Sequence, residues 1–492
     1  MLLSNTGKAE TGFEVMNMFL QYTMKDWKEA KQPLTFLQAC ISAYKGSDDF
    51  KQAMVAEGYY CGEHTAIDSK VILEKKKITQ KTESGDKVGL IDNDVVGNRI
   101  SSNFFKIFVV QENSFLLGNG ITLKDAAMKE KLGRGFDKTL AEMGKKALIQ
   151  RVCYGYWNVD HMEQINAYTD GLSGAFPLLD EKTSEIGIFI QFWQLSDKHP
   201  MYVRLFETDG ITVFIENENG QLVEDEAKRS YVLNVSESAL GISVEGRNYG
   251  VVPVIPLYGN ADHRSELTTT LKRKIDAYNV ITSDFADNLE RANEVYWVLN
   301  NFGGTIDDII EMMNIIKQLG VVANQQVGGG GGGQTAEPKT IEVPYQARQT
   351  ALALLKKELY RDAMALDMDE MTGGSLTNVA IKVAMTNLNL KCDDFEWQVF
   401  DFVQKLLALQ GIDTEEIKFK RRTLVNDKEM VETIMAMRSD IDLDTALKLN
   451  PLIEQDDIET IKANLDAERV SGMPSIEELQ SKIDQMNEET EE

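Results

Sequence analysis

The stretch SELTTTLKRKIDAYNVITSDFADNLER at residues 265–291 decides the fold of this chain. Its apolar side chains recur every three or four residues, which places them on one side of a helix. They are Leu267, Leu271, Ile275, Tyr278, Ile281, Phe285 and Leu289. At 1.5 Å per residue such a helix is roughly 40 Å long. We therefore predict a long amphipathic helix whose apolar side packs against another element.

Two further long helices are predicted downstream. Apolar residues at helical spacing predict one at 346–366, after Pro344, and another at 379–409. The segment 367–378 between them is predicted to be a loop that is small and polar at its tip, Thr372-Gly373-Gly374-Ser375. This layout favours a component of a larger machine over an enzyme.

The first two long helices flank an insert at 293–344. Its pattern predicts a helix at 305–319 and strands at 295–299, 320–323 and 339–343. Six consecutive glycines at 328–333 cannot pack a core, because glycine has no side chain and the greatest backbone freedom. We expect a mobile loop there.

Residues 1–260 are predicted to form an α+β domain with helices first and antiparallel strands second. The predicted helices are 24–40, 50–57, 97–117 and 125–152, and 74–87 is predicted as an exposed hairpin or loop. In 97–117 the apolar positions are Ile100, Phe104, Ile107, Phe108 and Val110. The predicted strands are 155–159, 186–194, 202–206, 212–215, 229–233 and 251–257, with turn signals at 209–210 and 218–220.

The chain closes with a predicted strand at 417–424 and a helical region at 428–470. Asn450-Pro451 is expected to break that helical region. The acidic segment 476–492 is expected to fray.

Composition narrows the class of protein. The 492 residues carry a formal charge of −26, and 43% are hydrophobic, which is typical of a folded chain. A strongly acidic chain is a poor general binder of nucleic acid, because phosphate binding uses Lys and Arg. The charge therefore favours either simple solubility or a surface that lies near DNA without adhering to it.

Targeting and redox signals point to a protein made in a cytosol and not placed in a membrane. No apolar run reaches the roughly 20 residues that span a bilayer. The first residues, MLLSNTGKAETGFEV, lack a secretory pattern. The four cysteines are far apart, without a CxxC pair, and are expected to be reduced.

Motifs for catalysis or cofactors are weak. Cys61 and His64 form a lone C-x2-H, more typical of ordinary structural residues than of zinc ligands. The glycine run lacks the strand, helix and Lys-Ser/Thr context of a phosphate-binding loop. Acidic pairs at 48–49, 307–308 and 393–394, with Asp367, Asp369 and Glu370, leave open a metal-dependent nuclease. Chance in an acidic chain is the favoured explanation of these clusters, and helix N-terminal placement accounts for Asp307 and Asp308.

Several short motifs, in order along the chain, resemble those of the portal proteins of tailed bacteriophages with siphophage-type portals. The resemblance covers about residues 24–468. The motifs are Tyr59-Tyr60-Cys61-Gly62 with His64 and Ile67, Asn98-Arg99-Ile100 with Asn103-Phe104, Leu116-Leu117-Gly118-Asn119, Pro253-Val254-Ile255-Pro256 with Asn260, and Ile275-Asp276-Ala277-Tyr278-Asn279 with Ser283-Asp284. One departure is Thr377-Asn378, where the family has Ser-Gly before the third helix; both residues still suit a helix start.

The resemblance implies a multidomain subunit with a wing, stem, clip and crown that assembles as a ring of about twelve copies. It implies a wing at 1–260, a first stem helix at 261–292, a clip at 293–344 and a second stem helix at 345–366. A tunnel loop at 367–378, a wing helix and strand at 379–424, a crown at 425–474 and an acidic tail at 475–492 would follow.

The same resemblance implies a non-enzymatic function without a cofactor or metal: conducting double-stranded DNA at one capsid vertex of the virion. The implied partners are further copies of the chain, the terminase large subunit, the major capsid and scaffolding proteins and a head–tail adaptor. The implied DNA-facing loop residues are Asp369, Glu370, Met371, Thr372, Gly373, Gly374 and Ser375. Candidate channel residues are Lys272, Lys356, Lys357 and Arg361, and candidate motor-docking residues are Asp307, Asp308 and Glu311. For the channel cations, ordinary ion pairing is the alternative.

Two other functions stay open on the sequence alone. One is the metal-dependent nucleic-acid enzyme built on the acidic clusters, and the other is a different ring-forming adaptor of the virion. Particle size separates the enzyme from the portal, because only the portal is expected as a ring.

Overall fold

The chain divides into a larger and a smaller unit in the computed structural model. The larger unit comprises Met1–Ala365 and Leu388–Arg422, and the smaller one Leu366–Asn387 and Thr423–Glu492. The residues described are 21–69, 79–82, 85–88, 97–124, 126–238, 241–292, 296–300, 335–339, 345–371, 377–412, 416–421, 427–437, 441–450, 452–453 and 458–471. Among the helices in these ranges, none is both long and apolar enough to cross a lipid bilayer.

The first helices are α1 (Met24–Glu29), α2 (Pro33–Gly46), α3 (Asp48–Cys61) and α4 (Thr65–Asp68). The prediction of one helix at 24–40 is wrong, because the first helix ends at Glu29 and a second one begins at Pro33. Proline lacks an amide hydrogen and fits the first position of a new helix. The predicted helix at 50–57 lies within α3, whose start is capped by the Ser47 hydroxyl accepting from the Phe50 amide.

A hairpin of β1 (Thr79–Thr82) and β2 (Gly85–Val88) lies mostly within the predicted exposed segment 74–87. Helix α5 (Phe104–Leu117) follows and buries Phe105 and Val109 beside Phe104 and Phe108. The predicted stripe is therefore partly wrong, because Ile100, Ile107 and Val110 are 39%, 43% and 41% exposed. Since α5 has apolar residues on nearly every side, spacing alone does not select the buried face.

The predicted helix at 125–152 is two helices, α6 (Ala126–Lys131) and α7 (Phe136–Gln150), after the short strand β3 (Ile121–Leu123). Gly133 and Gly135 separate them with φ of 85° and 89°, in the left-handed region that glycine tolerates. Val152, placed at the end of the predicted helix, begins a strand instead.

Three antiparallel sheets form the middle of the larger unit. The strands are β4 (Val152–Asn158), β5 (His161–Asn166), β6 (Gly174–Leu179), β7 (Ile186–Trp193), β8 (Tyr202–Glu207), β9 (Gly210–Glu216), β10 (Leu222–Arg229), β11 (Val232–Ser238), β12 (Gly241–Arg247) and β13 (Val254–Tyr258). Five of them pair in the order β10-β9-β8-β7-β6, three in the order β13-β4-β5, and β11 with β12. Both predicted turns are confirmed. The predicted strand at 229–233 is wrong, because the chain turns between β10 and β11 there.

The sheets and helices stack in layers around β4. Helices α2 and α3 cover one face of the five-stranded sheet through Tyr44 and Phe50. The other face packs against the three-stranded sheet, where Tyr154 and Tyr156 of β4 contact it. The opposite side of β4 faces the core formed by α5 and α7. A Cβ on Gly155 would lie only 2.6 Å from Phe402 Cζ. The Phe402 ring can therefore pack against β4 because residue 155 has no side chain.

The predicted long helices are present as α8 (Thr269–Ala292) and α9 (Tyr345–Asp362). Between them β14 (Tyr296–Asn300) pairs with β15 (Thr335–Lys339). The strand predicted at 295–299 is confirmed within one residue. Of the strand predicted at 339–343, Lys339 belongs to β15, the partner of β14, and 340–343 lie outside the described residues. The predictions at 305–319, 320–323 and 328–333 lie outside the described residues.

The third predicted helix is divided at Met385 into α10 (Asn378–Ala384) and α11 (Thr386–Leu409). Thr377 caps α10 by accepting from the Ala380 amide, so the departure from Ser-Gly still begins a helix. In the larger unit β16 (Ile417–Phe419) pairs with β3. In the smaller unit α12 (Asp427–Ala436), α13 (Leu443–Leu449) and α14 (Ile458–Ser471) confirm the helical region and its break. The expectations for 475–492 lie outside the described residues.

A buried ion cluster joins α5, α11 and the chain before α8. Lys391 Nζ lies 2.7 Å from Glu112 Oε2 and 2.8 Å from Glu266 Oε2. Burial raises the pKa of the Glu112 carboxyl from 4.5 to about 8, although Lys391 acts to lower it. Burial acts to lower the pKa of Lys391, but the two carboxylates outweigh it and raise that pKa. Burial therefore favours the neutral form of Glu112 more in the folded chain than in the unfolded one.

The stability of Glu112→Gln relative to that of wild type is expected to increase as pH rises from about 5 towards about 8. In wild type the folded state favours the protonated Glu112 carboxyl. The stability that the protonated carboxyl contributes is therefore fully present below pH 4.5 and is lost as pH rises through the folded pKa. Glutamine stays neutral throughout. Thermal unfolding across this range measures the difference, and Glu142→Gln at an exposed pair with Lys138 is the matched control. A difference in unfolding temperature between wild type and Glu112→Gln that stays constant across this pH range would contradict the raised pKa of Glu112.

Candidate functional site

Helices α8 and α9 form an antiparallel pair. Near one end Lys274 Nζ lies 2.8 Å from Glu358 Oε2 and 2.6 Å from Asp362 Oδ2. Near the other end the Phe285 and Tyr345 rings are 5.7 Å apart, centroid to centroid. The two ends match only if the helices run in opposite directions.

Aromatic rings attach this pair to α5. The Phe104 ring meets Tyr278 of α8 edge to face, with centroids 5.0 Å apart, and Tyr360 of α9 at 6.0 Å. Phe108 also meets Tyr360, at 5.2 Å. Both paired helices therefore contact the same two turns of α5.

The segment 97–103, here called the strap, runs along α8 before α5 begins. Its alternate backbone amides donate to side chains of α8: Asn98 N to Asp287 Oδ1 at 2.7 Å, Ile100 N to Ser283 Oγ at 3.0 Å, and Ser102 N to Asn279 Oδ1 at 3.0 Å. Two residues of extended chain advance about 6.6 Å, and four residues of helix advance about 6 Å. The repeats of strap and helix therefore match, and each inward amide finds an acceptor.

This contact changes the expected buried side of α8. The buried positions are spaced by four residues: Leu271, Ile275, Asn279, Ser283 and Asp287. Of the predicted apolar stripe, Leu271 and Ile275 are buried, whereas Ile281 and Phe285 are half-buried and Leu289 is 45% exposed in the single chain. The strap brings backbone donors to α8, and donors need polar acceptors. The signal in the sequence was the Asn-Ser-Asp series at spacing four.

A second polar group lies beside the strap, around Tyr59 of α3. The Tyr59 hydroxyl donates to Asp276 Oδ1 at 2.5 Å, and Lys272 Nζ lies 2.8 Å from Asp276 Oδ2. The Lys272 ammonium also lies 4.9 Å from the Tyr59 ring centroid. Burial raises the pKa of Tyr59, and the hydrogen bond to Asp276 acts in the same direction. The His64 ring stacks on the Tyr59 ring, with the centroids 4.5 Å apart and the planes 7° from parallel, and His64 is hydrogen-bonded to Asn279.

We call the strap, these α8 side chains and the Tyr59–His64 pair the junction. Three of the motifs singled out in the sequence meet here: Tyr59 with His64, Asn98 to Asn103, and Ile275 to Ser283. The junction bonds two separate stretches of the chain, the Tyr59–His64 pair and the strap, to one helix, so it can set the position of α8 relative to α5.

The predicted channel cations lie in different settings. Lys272 is engaged in the junction by Asp276 and Tyr59. On α9, Lys356 Nζ lies 5.8 Å from the Tyr360 ring, Arg361 contacts Asp362 at 3.3 Å, and Lys357 is exposed.

Only part of the predicted loop is described. Asp369, Glu370 and Met371 lie in a short 3-10 turn, Met368–Met371, and the Asp369 amide donates to Asp367 Oδ1. The loop residues Thr372, Gly373, Gly374 and Ser375 lie outside the described residues. So do the candidate docking residues Asp307, Asp308 and Glu311.

Within the described ranges, no three His, Cys, Asp or Glu side chains converge on a position for a metal ion. Asp49 pairs with Arg151 at 2.9 Å, and Asp393 with Arg421 at 2.6 Å. Asp394 accepts from the Ala261 amide. Cys61 is exposed, whereas His64 is buried. The described acidic residues Asp49, Asp393 and Asp394 therefore contact arginine side chains or a backbone amide.

Asn279→Ala is expected to destabilise the protein by about 1–3 kcal/mol, because it leaves the half-buried Ser102 amide without its acceptor and the buried His64 without its donor. Asn288→Ala is the matched control, since the Asn288 side-chain amide donates to a carbonyl of its own helix, that of Asp284. Urea unfolding of both variants and wild type measures the effect. Equal losses in the two variants would show that the strap contributes nothing through this bond.

Comparison with known proteins places these features in a family. The family model described as "Phage portal protein, SPP1 Gp6-like" matches residues 42–471. The chain is 29% identical to the portal protein of Clostridium phage phiCD119 over 197 residues, which cover 38% of this chain and 42% of that protein. It is 24% identical to the portal protein of Bacillus phage SPP1 over 408 residues, which cover 78% of each chain. The matched length and the junction built from the family-like motifs lead to one conclusion: this chain belongs to the SPP1 Gp6-like family of phage portal proteins.

Proposed function

We propose that this chain is the subunit of a ring of about twelve copies at one capsid vertex, and that double-stranded DNA is packaged and ejected through the ring. The observation that supports it most is the family match along 42–471 in a chain with an antiparallel pair of long helices. Leu289, Tyr345 and Leu354 of that pair are 45%, 52% and 58% exposed in the single chain. Neighbouring copies around an axis would cover such side chains.

The charge of the chain suits passage of DNA rather than tight binding. DNA bears one negative charge per roughly 1.7 Å of helix axis, and each phosphate contact needs a cation. With a formal charge of −26 the chain offers few such contacts, so DNA can slide. Lys356, Lys357 and Arg361 of α9 are the candidates for weak backbone contacts, whereas Lys272 is already engaged in the junction.

The regions of the subunit follow the portal plan in this proposal. Residues 1–260 with 379–424 form the wing, α8 and α9 the stem, 293–344 the clip, 367–378 the tunnel loop and 425–474 the crown. Asp307, Asp308 and Glu311 of the clip are the proposed docking residues for a terminase large subunit, which would supply ATP hydrolysis. Capsid, scaffolding and head–tail adaptor proteins would contact the assembled ring in the virion.

Purified protein is expected to form an annular particle of about twelve times the 55.3 kDa of one chain. Sedimentation measures the mass, and end-on negative-stain images show the central hole. A stable monomer at every concentration, without annular particles, would refute the proposal and would favour a small enzyme.

Replacing Gly373 and Gly374 together by proline is expected to block DNA packaging while rings still assemble. Proline fixes φ and removes the freedom that a DNA-following loop needs. The double alanine variant is the control, because alanine stays small and retains its amide hydrogen. Packaged DNA per particle and ring yield are measured together. Normal DNA filling with the prolines would remove 367–378 from the proposed mechanism.

A further inference from the structure

The orientation of one buried amide sets the protonation state of His64. The Ser102 amide donates to Asn279 Oδ1 at 3.0 Å, which identifies the oxygen end of the Asn279 side chain. The other end, Nδ2, faces His64 Nδ1. An amide nitrogen only donates, so Nδ1 has to accept and the ring hydrogen has to sit on Nε2.

His64 is closed off from water in this position. Its side chain is 1% exposed, and its ring lies flat against Tyr59. Within the described part of the chain, Nε2 makes no hydrogen bond of ordinary geometry. Besides the Tyr59 carbonyl, the bond from Asn279 is a polar contact that fixes the ring, and the ring in turn fixes the Asn279 amide.

We infer that His64 is a positioning residue that keeps the strap on α8 only while it is neutral, and that a proton on Nδ1 releases the strap. With that proton, two donors face each other across Nδ1 and Nδ2. If the Asn279 amide turns over to present its oxygen to His64, its nitrogen faces the Ser102 amide and that bond is lost. If the amide stays, the charged ring has to leave. In the first case the hydrogen bond from Ser102 to Asn279 is lost, and in the second the Asn279 amide loses the His64 contact that keeps its oxygen towards Ser102.

The charged groups around His64 come from three elements. Lys272 and Asp276 approach from α8, Asp68 from α4, and Tyr59 from α3. Burial lowers the pKa of His64, and Lys272 acts the same way. The Tyr59 carbonyl, Asp276 and Asp68 act in the opposite direction, but Asp276 is already engaged by Tyr59 and Lys272. The neutral ring is therefore the native form.

Because burial lowers the pKa of His64, the folded protein is expected to lose stability as pH falls. Because the folded pKa is below the usual 6.5, the stability that neutral His64 contributes is present above pH 6.5. It is lost as pH falls through the folded pKa. The strap leads directly into α5, whose Phe104 contacts both paired helices. Acidification is thus expected to loosen the attachment of α8 and α9 to α5, whether or not the chain conducts DNA.

Hydrogen–deuterium exchange of the full-length assembled protein tests this inference. Protection of a peptide covering 97–103 is measured from about pH 7.5 to about pH 5 and corrected for intrinsic exchange. In wild type, protection should fall by up to about tenfold for each pH unit below the His64 pKa. In His64→Asn the asparagine oxygen takes the place of Nδ1 without titrating, so protection should stay constant. His263→Asn, at a half-buried histidine stacked on Tyr258, should behave as wild type.

A second variant makes the direction of the effect decisive. Asn279→Asp presents oxygens to both the Ser102 amide and His64, so it favours the protonated ring. Protection of 97–103 should then be greater at the acid end of the range, opposite to wild type. Constant protection in wild type, an unchanged pH profile in His64→Asn, or the wild-type direction in Asn279→Asp would each overturn the inference.

Discussion

The backbone amides of the strap need hydrogen-bond acceptors, and this need fixes how the strap, α8 and α5 are arranged in the larger unit. An extended segment outside a sheet has no neighbouring strand to satisfy its amides, and leaving them buried without partners costs about 1–3 kcal/mol each. Asn279, Ser283 and Asp287 of α8 meet that need at matching spacing. The strap is thereby held beside α8, and α5 begins where its Phe104 meets Tyr278 and Tyr360.

A polar contact of this kind specifies position more sharply than an apolar one. Apolar side chains tolerate small slips of one element along another, whereas a slip of the strap by one residue turns its inward amides away from α8. The buried cluster of Lys391, Glu112 and Glu266 acts similarly on the other side of α5, where it ties α11 to the chain before α8. Buried ions cost desolvation, so we interpret both groups as devices that specify one arrangement. A subunit that has to match identical neighbours benefits from such specificity.

Prediction from the sequence worked best where a pattern was long or a turn was strongly marked. Helices α8 and α9 and the turns at Asp209-Gly210 and Glu218-Asn219-Gly220 were located within a few residues. It failed where a single residue interrupts a pattern, as Pro33 and the glycines at 133 and 135 do. It also missed β5 and β6, since HMEQIN is largely polar and GAFPLL contains a proline. Such strands are ordered by pairing with β4 and β7, which no local pattern reveals.

The sequence by itself determined the family, the α+β class and the order of the long helices, because these depend on motifs and on periodicity within one element. Only the tertiary structure decided which side of α8 is buried, that Lys272 contacts Asp276 and Tyr59, and that His64 bonds to Asn279. The physical reason is that burial and hydrogen bonding belong to pairs of elements. The stripe on α8 turns from apolar to polar because a strap nearly 180 residues away in the chain brings backbone amide donors to it.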